Sequence, residues 1–205
     1  FRSQEVADRM GLELRTEATA VQVSTPDGVL LKRLDLLAAY READVIISLP
    51  KLKTHNLTAI SGAVKNLFGL VPGMTKPAYH TKLPDVDSFC DMLLDVVDCV
   101  RPALSVVDAV VGMEGDGPGL HGDPRSIGVL LAGPDAVAVD AVICHIMGRA
   151  PDDLPMFRAA QRRGQWPQEV VIKGLPLDEV KLSDFRPPSA VQPVTWGLRG
   201  WLSRF

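Results

Sequence analysis

Residues 50–69, PKLKTHNLTAISGAVKNLFG, gather side chains suited to one task, the holding of an anion. Lys51, Lys53 and Lys65 supply ammonium groups, and His55 adds a ring nitrogen. Lys51, Lys53 and His55 stand two apart, so an extended backbone turns all three to one side. Asn66 is an amide that could orient a ligand carbonyl or cap its own helix end. Between Asp44 and Asp85 there is no Asp or Glu, while Lys76 and Lys82 join the other three lysines. The chain holds 25 acidic residues in 205. An even spread would put about five of them in that window. A surface built for solubility mixes the two signs; this stretch is kept clear of negative charge. It is not a P-loop, because GAVKNLFG lacks the G-x-x-x-x-G-K-[ST] spacing.

A second stretch has the opposite character. Asp108 lies in ALSVVDAVVGM, and Glu114, Asp116, His121 and Asp123 follow in EGDGPGLHGDPRS. The glycines between them permit positive φ and close backbone approach. Such carboxylates could hold Mg²⁺ or Ca²⁺ through oxygen, although the spacing fits no EF-hand. The more economical roles for Glu114 or Asp116 are to bond the lysine cluster or to act as general base. A charge inside an apolar strand is costly unless paired, so a lysine of the first stretch is the expected partner of Asp108. His80, after Tyr79 in a Pro- and Gly-rich segment, is a candidate lid residue and proton carrier. His145, on an apolar helix, reads as a core residue.

Regular elements must position these groups. The β-branched run DVIISLP (44–50) reads as a strand covered on both faces and ended by Pro50. A helix is predicted from Asn56, as N-cap, to Phe68, with Gly69 as its stop. Strand, loop and helix N-terminus in that order cradle anions, because free N–H groups and the positive end of the helix face the loop. Further helices are predicted over 1–11, 33–43, 84–101, 135–148 and 152–163. In helix 84–101, Val86, Phe89, Leu93, Val96, Val97 and Val100 form the buried stripe, and Asp87, Asp91, Asp95 and Asp98 the wet face. Strands are predicted at 19–25, 103–113, 127–133 and 169–173, and 70–83 is too rich in Pro and Gly for regular structure. The alternation argues for an α/β fold: a largely parallel or mixed sheet with helices on both faces, Rossmann-like and three-layered. Residues 1–184 form one domain, and 185–205 a Pro-rich linker with a short helix. Both ends read as cuts in a longer chain.

Composition narrows the function classes. A formal charge of −3 and a pI near 5.8 argue against a nucleic-acid partner, which needs a broad basic face. No run reaches the ~18 apolar residues of a membrane span, and there is no signal peptide. A cytoplasmic protein without a membrane partner is expected. Cys90, Cys99 and Cys144 are scattered without a C-x-x-C pair, so no disulfide framework and no local metal site is expected.

Four stretches in order, DVIISLPKLKTHNLTAISGAVKNLFGLVPG, YH, DAVVGMEGDGPGLHGDPR and LLAGPDAVAVDAV, carry a resemblance over residues 40–175. The chain resembles the bacterial and archaeal family called domain of unknown function 362, often labelled iron–sulfur cluster-binding. The resemblance marks Lys51, Lys53, Thr54, His55, Lys65, Asn66, His80, Asp108, Glu114, Asp135 and Asp140 as signature positions, which adds Thr54 to the ligand-binding set. Relatives begin with a KPN-like motif that is absent here, and many continue into a ferredoxin-like C-x-x-C-x-x-C segment. By that likeness no cofactor lies within this chain, and a 4Fe–4S cluster would belong to a C-terminal part beyond it. Three readings follow. The first is a redox-associated domain clamping a small phosphate- or carboxylate-bearing ligand between the two loops. The second is a non-catalytic electron-transfer or scaffold module docking an acidic partner such as a ferredoxin. The third is a metal-dependent hydrolase or transferase in which Asp108 and Glu114 hold the metal.

Overall fold

The computed structural model describes residues 3–16, 18–83, 85–119 and 121–189. It begins with helix α1 (Ser3–Met10), stopped at Gly11 in the left-handed region. Strands β1 (Ala20–Ser24) and β2 (Arg33–Leu37) then pair antiparallel as a two-stranded sheet. A helix was the expectation over 33–43. Instead Leu34 and Leu36 are fully buried while Arg33 is exposed, which is strand periodicity, and only α2 (Ala39–Glu42) is helical. Pairing with β1 supplies backbone partners that the local spacing could not reveal.

The main sheet is mixed. β3 (Ile47–Ser48) and β4 (Lys51–His55) both run parallel to β6 (Leu104–Gly115). β3 stops at Ser48, just before Pro50 where a strand end was expected, but β4 resumes at Lys51 in the same register on β6, and the Pro50 carbonyl accepts the Asp108 N–H at 2.8 Å. β5 (Ala59–Ser61) turns back antiparallel to β4 through Ala59, whose φ is 64°. The helix expected from Asn56 therefore starts only at α3 (Ala63–Asn66) and continues as one 3₁₀ turn, Leu67–Leu70. β7 (Gly122–Gly133) lies antiparallel along the other side of β6. The strand predicted at 169–173 joins neither sheet.

Alternation along β4 and β6 divides the sheet by face. Leu52, Thr54, Ser105, Val107 and Ala109 are buried. Lys51, paired in register with Asp108, points to the opposite face, with Lys53 and His55 after it. On that face Ile47 and Leu130 are 55% and 66% exposed. The run 44–49 is thus not covered on both sides as its composition suggested: Val45 and Leu49 are exposed too.

Helix α4 (Lys76–Lys82) occupies the stretch predicted to be irregular. α5 (Val86–Val100) starts at Asp85, which accepts the Ser88 N–H at 2.7 Å, and stops at Arg101 with φ of 46°. Its Phe89, Leu93 and Val96 are buried as expected, with Met92 and Leu94 beside them. α6 (Ala136–Ile146), capped by Asp135, α7 (Pro155–Arg162) and α8 (Leu177–Val180) complete the chain's helices among the described residues.

Asp98 is exposed as expected, but the other acids of α5 bond arginines rather than forming a wet face. Arg158 meets Asp87, Arg162 meets Asp91, and Arg163 bonds Asp91 and Asp95 at 2.9 Å each. Asp95 is fully buried and also accepts the N–H groups of Val29, Leu30 and Leu31 at 2.7–2.9 Å, which ties the β1–β2 connection to α5. Phe185 is buried, so the chain stays docked to this body at that point. Of the linker and short helix expected over 185–205, residues 190–205 lie outside the described residues.

Asp95→Ala strips three N–H groups of their acceptor and leaves Arg163 buried with one carboxylate fewer. We expect a loss of about 3 kcal/mol in urea unfolding, with early proteolysis at 28–31. A loss below about 1 kcal/mol would show that the clamp does not hold the hairpin.

Candidate functional site

The free helix N-terminus expected beside the lysine stretch is already filled. Asp140, buried on α6, accepts the Ala63 N–H at 2.6 Å and the Val64 N–H at 3.1 Å, so the helix-start anion is the protein's own. Only glycine fits at position 62, because a Cβ there would stand 2.1 Å from Asp140 Oδ1. Burial pushes Asp140 up to about 7, against the pull of its two N–H bonds.

What remains exposed to a ligand is a set of ammonium groups. Lys65, half-buried on α3, is lowered to about 8, first by burial and then by Lys53 and Lys76. Among the described residues no carboxylate acts on Lys65, and only the Cys90 thiol pulls in the other direction. Lys53 comes from β4 and Lys76 from α4, so three elements each contribute one cation. Lys76 lies 5.6 Å from the ring centroid of Phe68, within cation–π range. Phe68 packs edge-on against Tyr79 at 6.2 Å and against Phe89 at 5.5 Å, which braces α4 against α5. Lys76 was part of the acid-free window, but its place beside Lys65 had no local signal.

The other predicted residues divide. Asn66 Nδ2 donates to Ser48 Oγ at 2.9 Å, at the break between β3 and β4. Lys51 meets Asp108 Oδ2 at 2.7 Å, the partner type expected for Asp108, but both side chains are about half exposed rather than buried in a strand interior. Its bond to Lys51 holds Asp108 below the usual carboxylate range. His55 Nδ1 accepts the Leu57 N–H at 3.0 Å and so shapes the β4–β5 turn. Thr54 is fully buried with Oγ1 unpartnered, and it faces Gly117, where a Cβ would stand 2.8 Å away. His80 lies on α4. His145, read as core, keeps 39% side-chain exposure, with Nε2 3.8 Å from Asp178.

Glu114 and Asp116 do not bond the lysines. Glu114 is buried and accepts from Arg186 Nε at 2.8 Å and from the Arg186 backbone N–H at 3.1 Å. Arg186 also reaches Asp123, and Arg125 reaches Asp184. Asp116 accepts the Ser189 hydroxyl and N–H, both at 2.7 Å, which hold its carboxyl low. These acids fasten residues 184–189 to the end of β6. Nothing local in the sequence announces a partner some seventy residues on.

The cysteines are separate. Cys90 is buried on α5, its thiol pushed up to about 12; Cys99 lies beside Tyr40, and Cys144 donates to the Arg149 carbonyl at 3.2 Å. They do not form a ligand set for a cluster. Among the described residues no three His, Cys, Asp or Glu side chains converge to hold an ion, and no helix is long and apolar enough to cross a membrane.

The family described as domain of unknown function (DUF362) matches residues 3–145, and the chain belongs to it. A thylakoid-associated protein of Synechocystis sp. is 38% identical over 161 residues, covering 77% of this chain and 50% of that protein. The chain thus spans about half the length of this curated relative. No solved structure matches it.

The raised Asp140 means that the folded state holds its proton more tightly than the unfolded chain does. The stability it contributes is complete below the ordinary value of 3.8 and is lost as pH rises through about 7. Urea unfolding across that window should show a downward slope that Asp140→Asn lacks. Equal slopes in the two proteins would show that Asp140 is ionised throughout.

Proposed function

We propose that this domain binds a small phosphate- or carboxylate-bearing ligand at Lys53, Lys65 and Lys76. The observation that carries the reading is the environment of Lys65: an amine partly removed from water, beside two like charges and with no carboxylate acting on it among the described residues. Each of those conditions raises the energy of the ammonium form, and a bound anion relieves them together. Lys53 and Lys65 would grip the anion from β4 and α3. Lys76 would close on it from α4, with His80 on the same helix as the proton carrier. Asn66, steadied by Ser48, would orient a ligand oxygen. Lys51, matched by Asp108, plays no direct part.

Metal-dependent hydrolysis through Asp108 and Glu114 is the weaker reading, because Lys51 and Arg186 already neutralise those carboxylates. A redox role would draw electrons from a cluster held outside the described residues, since their cysteines do not converge. The three free cysteines suit a reducing, cytoplasmic setting.

Calorimetry and thermal shift at low ionic strength with phosphate, pyrophosphate and citrate test the reading. At least one anion should raise the melting temperature. Lys65→Met and Lys53→Met should each weaken its binding about tenfold, or roughly 1.4 kcal/mol, whereas Lys51→Met changes little. Affinity should fall as pH climbs through about 8, where Lys65 gives up its proton. If no anion binds, and an acidic protein such as a ferredoxin binds in a salt-sensitive way instead, the site is a docking patch and the small-ligand reading fails.

A further inference from the structure

Lys65 is placed for a second task at the lysine site, one that a simple counter-ion does not need. It lies on the single turn of α3, just past β5, and Lys53 pairs in register with Ser61 at the end of that strand. Its chain neighbours Val64, Leu67 and Phe68 are buried, as are Phe89 and Cys90 on α5, against which α3 packs. The turn is thus set in apolar packing, and the half-buried amine has Lys53 and Lys76 as its charged neighbours. Lys76 lies over the Phe68 ring and Asn66 is tied to Ser48, so the groups around Lys65 are themselves held in place.

An amine set in apolar surroundings beside other cations is the arrangement that turns a lysine into a nucleophile. Lowered to about 8, Lys65 is about one-quarter free base at pH 7.5, against about one-thousandth for a lysine at the ordinary 10.5. A grip on an anion gains nothing from an amine that sheds its proton near neutrality. Attack on a carbonyl requires it. Lys53 and Lys76 remain to take the anionic group.

We propose that Lys65 forms a Schiff base with a small aldehyde or ketone that carries a carboxylate or phosphate near its carbonyl, the charged group being held by Lys53 and Lys76. This rests on the anion site proposed above and adds what the ligand carries besides its charge. The Nζ lone pair forms a C–N bond to the carbonyl carbon, and one amine proton passes to the oxygen. A second proton comes from solvent, the C–O bond breaks, and water leaves. Nothing is oxidised or reduced. The product is a protonated iminium, so position 65 keeps its positive charge and its attraction for the anionic group.

Glyoxylate and pyruvate, each with cyanoborohydride at pH 7.5, test this on the 205-residue chain, read by mass spectrometry of its peptides. Hydride reduces the C=N bond and fixes the adduct as a secondary amine. Of the eight lysines, Lys65 should be labelled about tenfold faster than any other, and phosphate, pyrophosphate or citrate should suppress it. Acetaldehyde, which has no anionic group, should lose most of that preference. Lys65→Met should erase the adduct and Lys53→Met should slow it, while Lys51→Met leaves it unchanged. The peptide map of the unsubstituted chain decides the matter if Lys65→Met folds poorly. Should an anion bind in calorimetry while the adducts spread over exposed lysines such as Lys173, the Schiff base is overturned and the anion site stands. If no anion binds and Lys65 goes unlabelled, both fall. Labelling of Lys65 that none of the three anions suppresses also overturns the proposal, because the carbonyl is then taken without the anion grip.

Discussion

A carboxylate buried at the start of a one-turn helix organises this domain. α3 has four residues, far too few to persist by its own hydrogen bonds. Asp140 reaches it from α6, takes the two N–H groups that a helix start leaves open, and fixes its position against the sheet. Gly62 is the condition for that approach. Lys65 and Asn66 are carried by this turn, so their placement beside Lys53 and Ser48 depends on an acid 77 and 76 residues from the Ala63 and Val64 N–H groups it accepts. The same contact removes the helix N-terminus as an anion site and leaves the work of attraction to the ammonium groups.

The remaining acids explain how a chain of net charge −3 can keep a basic patch. Many of them are committed elsewhere. Those of α5 bind the arginines at the end of α7 and the β1–β2 connection, and Glu114, Asp116 and Asp123 bind residues 186 and 189. Asp108 matches only Lys51. Each of these pairs also joins segments distant in sequence, so sorting the charges and assembling the fold are one process. An acid left over beside Lys65 would neutralise the patch, and among the described residues none acts on it.

Much of the fold was legible, and the failures share a cause. α5 and α6 follow from spacing, and the structure starts them with side chains that bond within three residues, Asp85 to Ser88 and Asp135 to Val137. Residues 51–55 were misread as a loop because a second strand starts straight after Pro50, whose carbonyl, not its missing N–H, faces the neighbour. Residues 33–37 look helical by spacing but pair with β1, and 56–61 look like a helix start but form a turn and β5. In each case a partner strand outweighed the local preference.

By itself the sequence determined the clearing of acids from 45–84, the lysines within it, the amphipathic α5 and the family likeness. These are properties of composition and of neighbours within a turn or two. Only the tertiary structure decided which charge meets which: Asp140 with α3, Glu114 with Arg186, Lys51 with Asp108, and Lys65 with no acid among the described residues. A carboxylate carries no mark of its eventual partner. Its pairing is set by which segments the sheet and helices bring within a few ångströms, and burial then makes that choice binding.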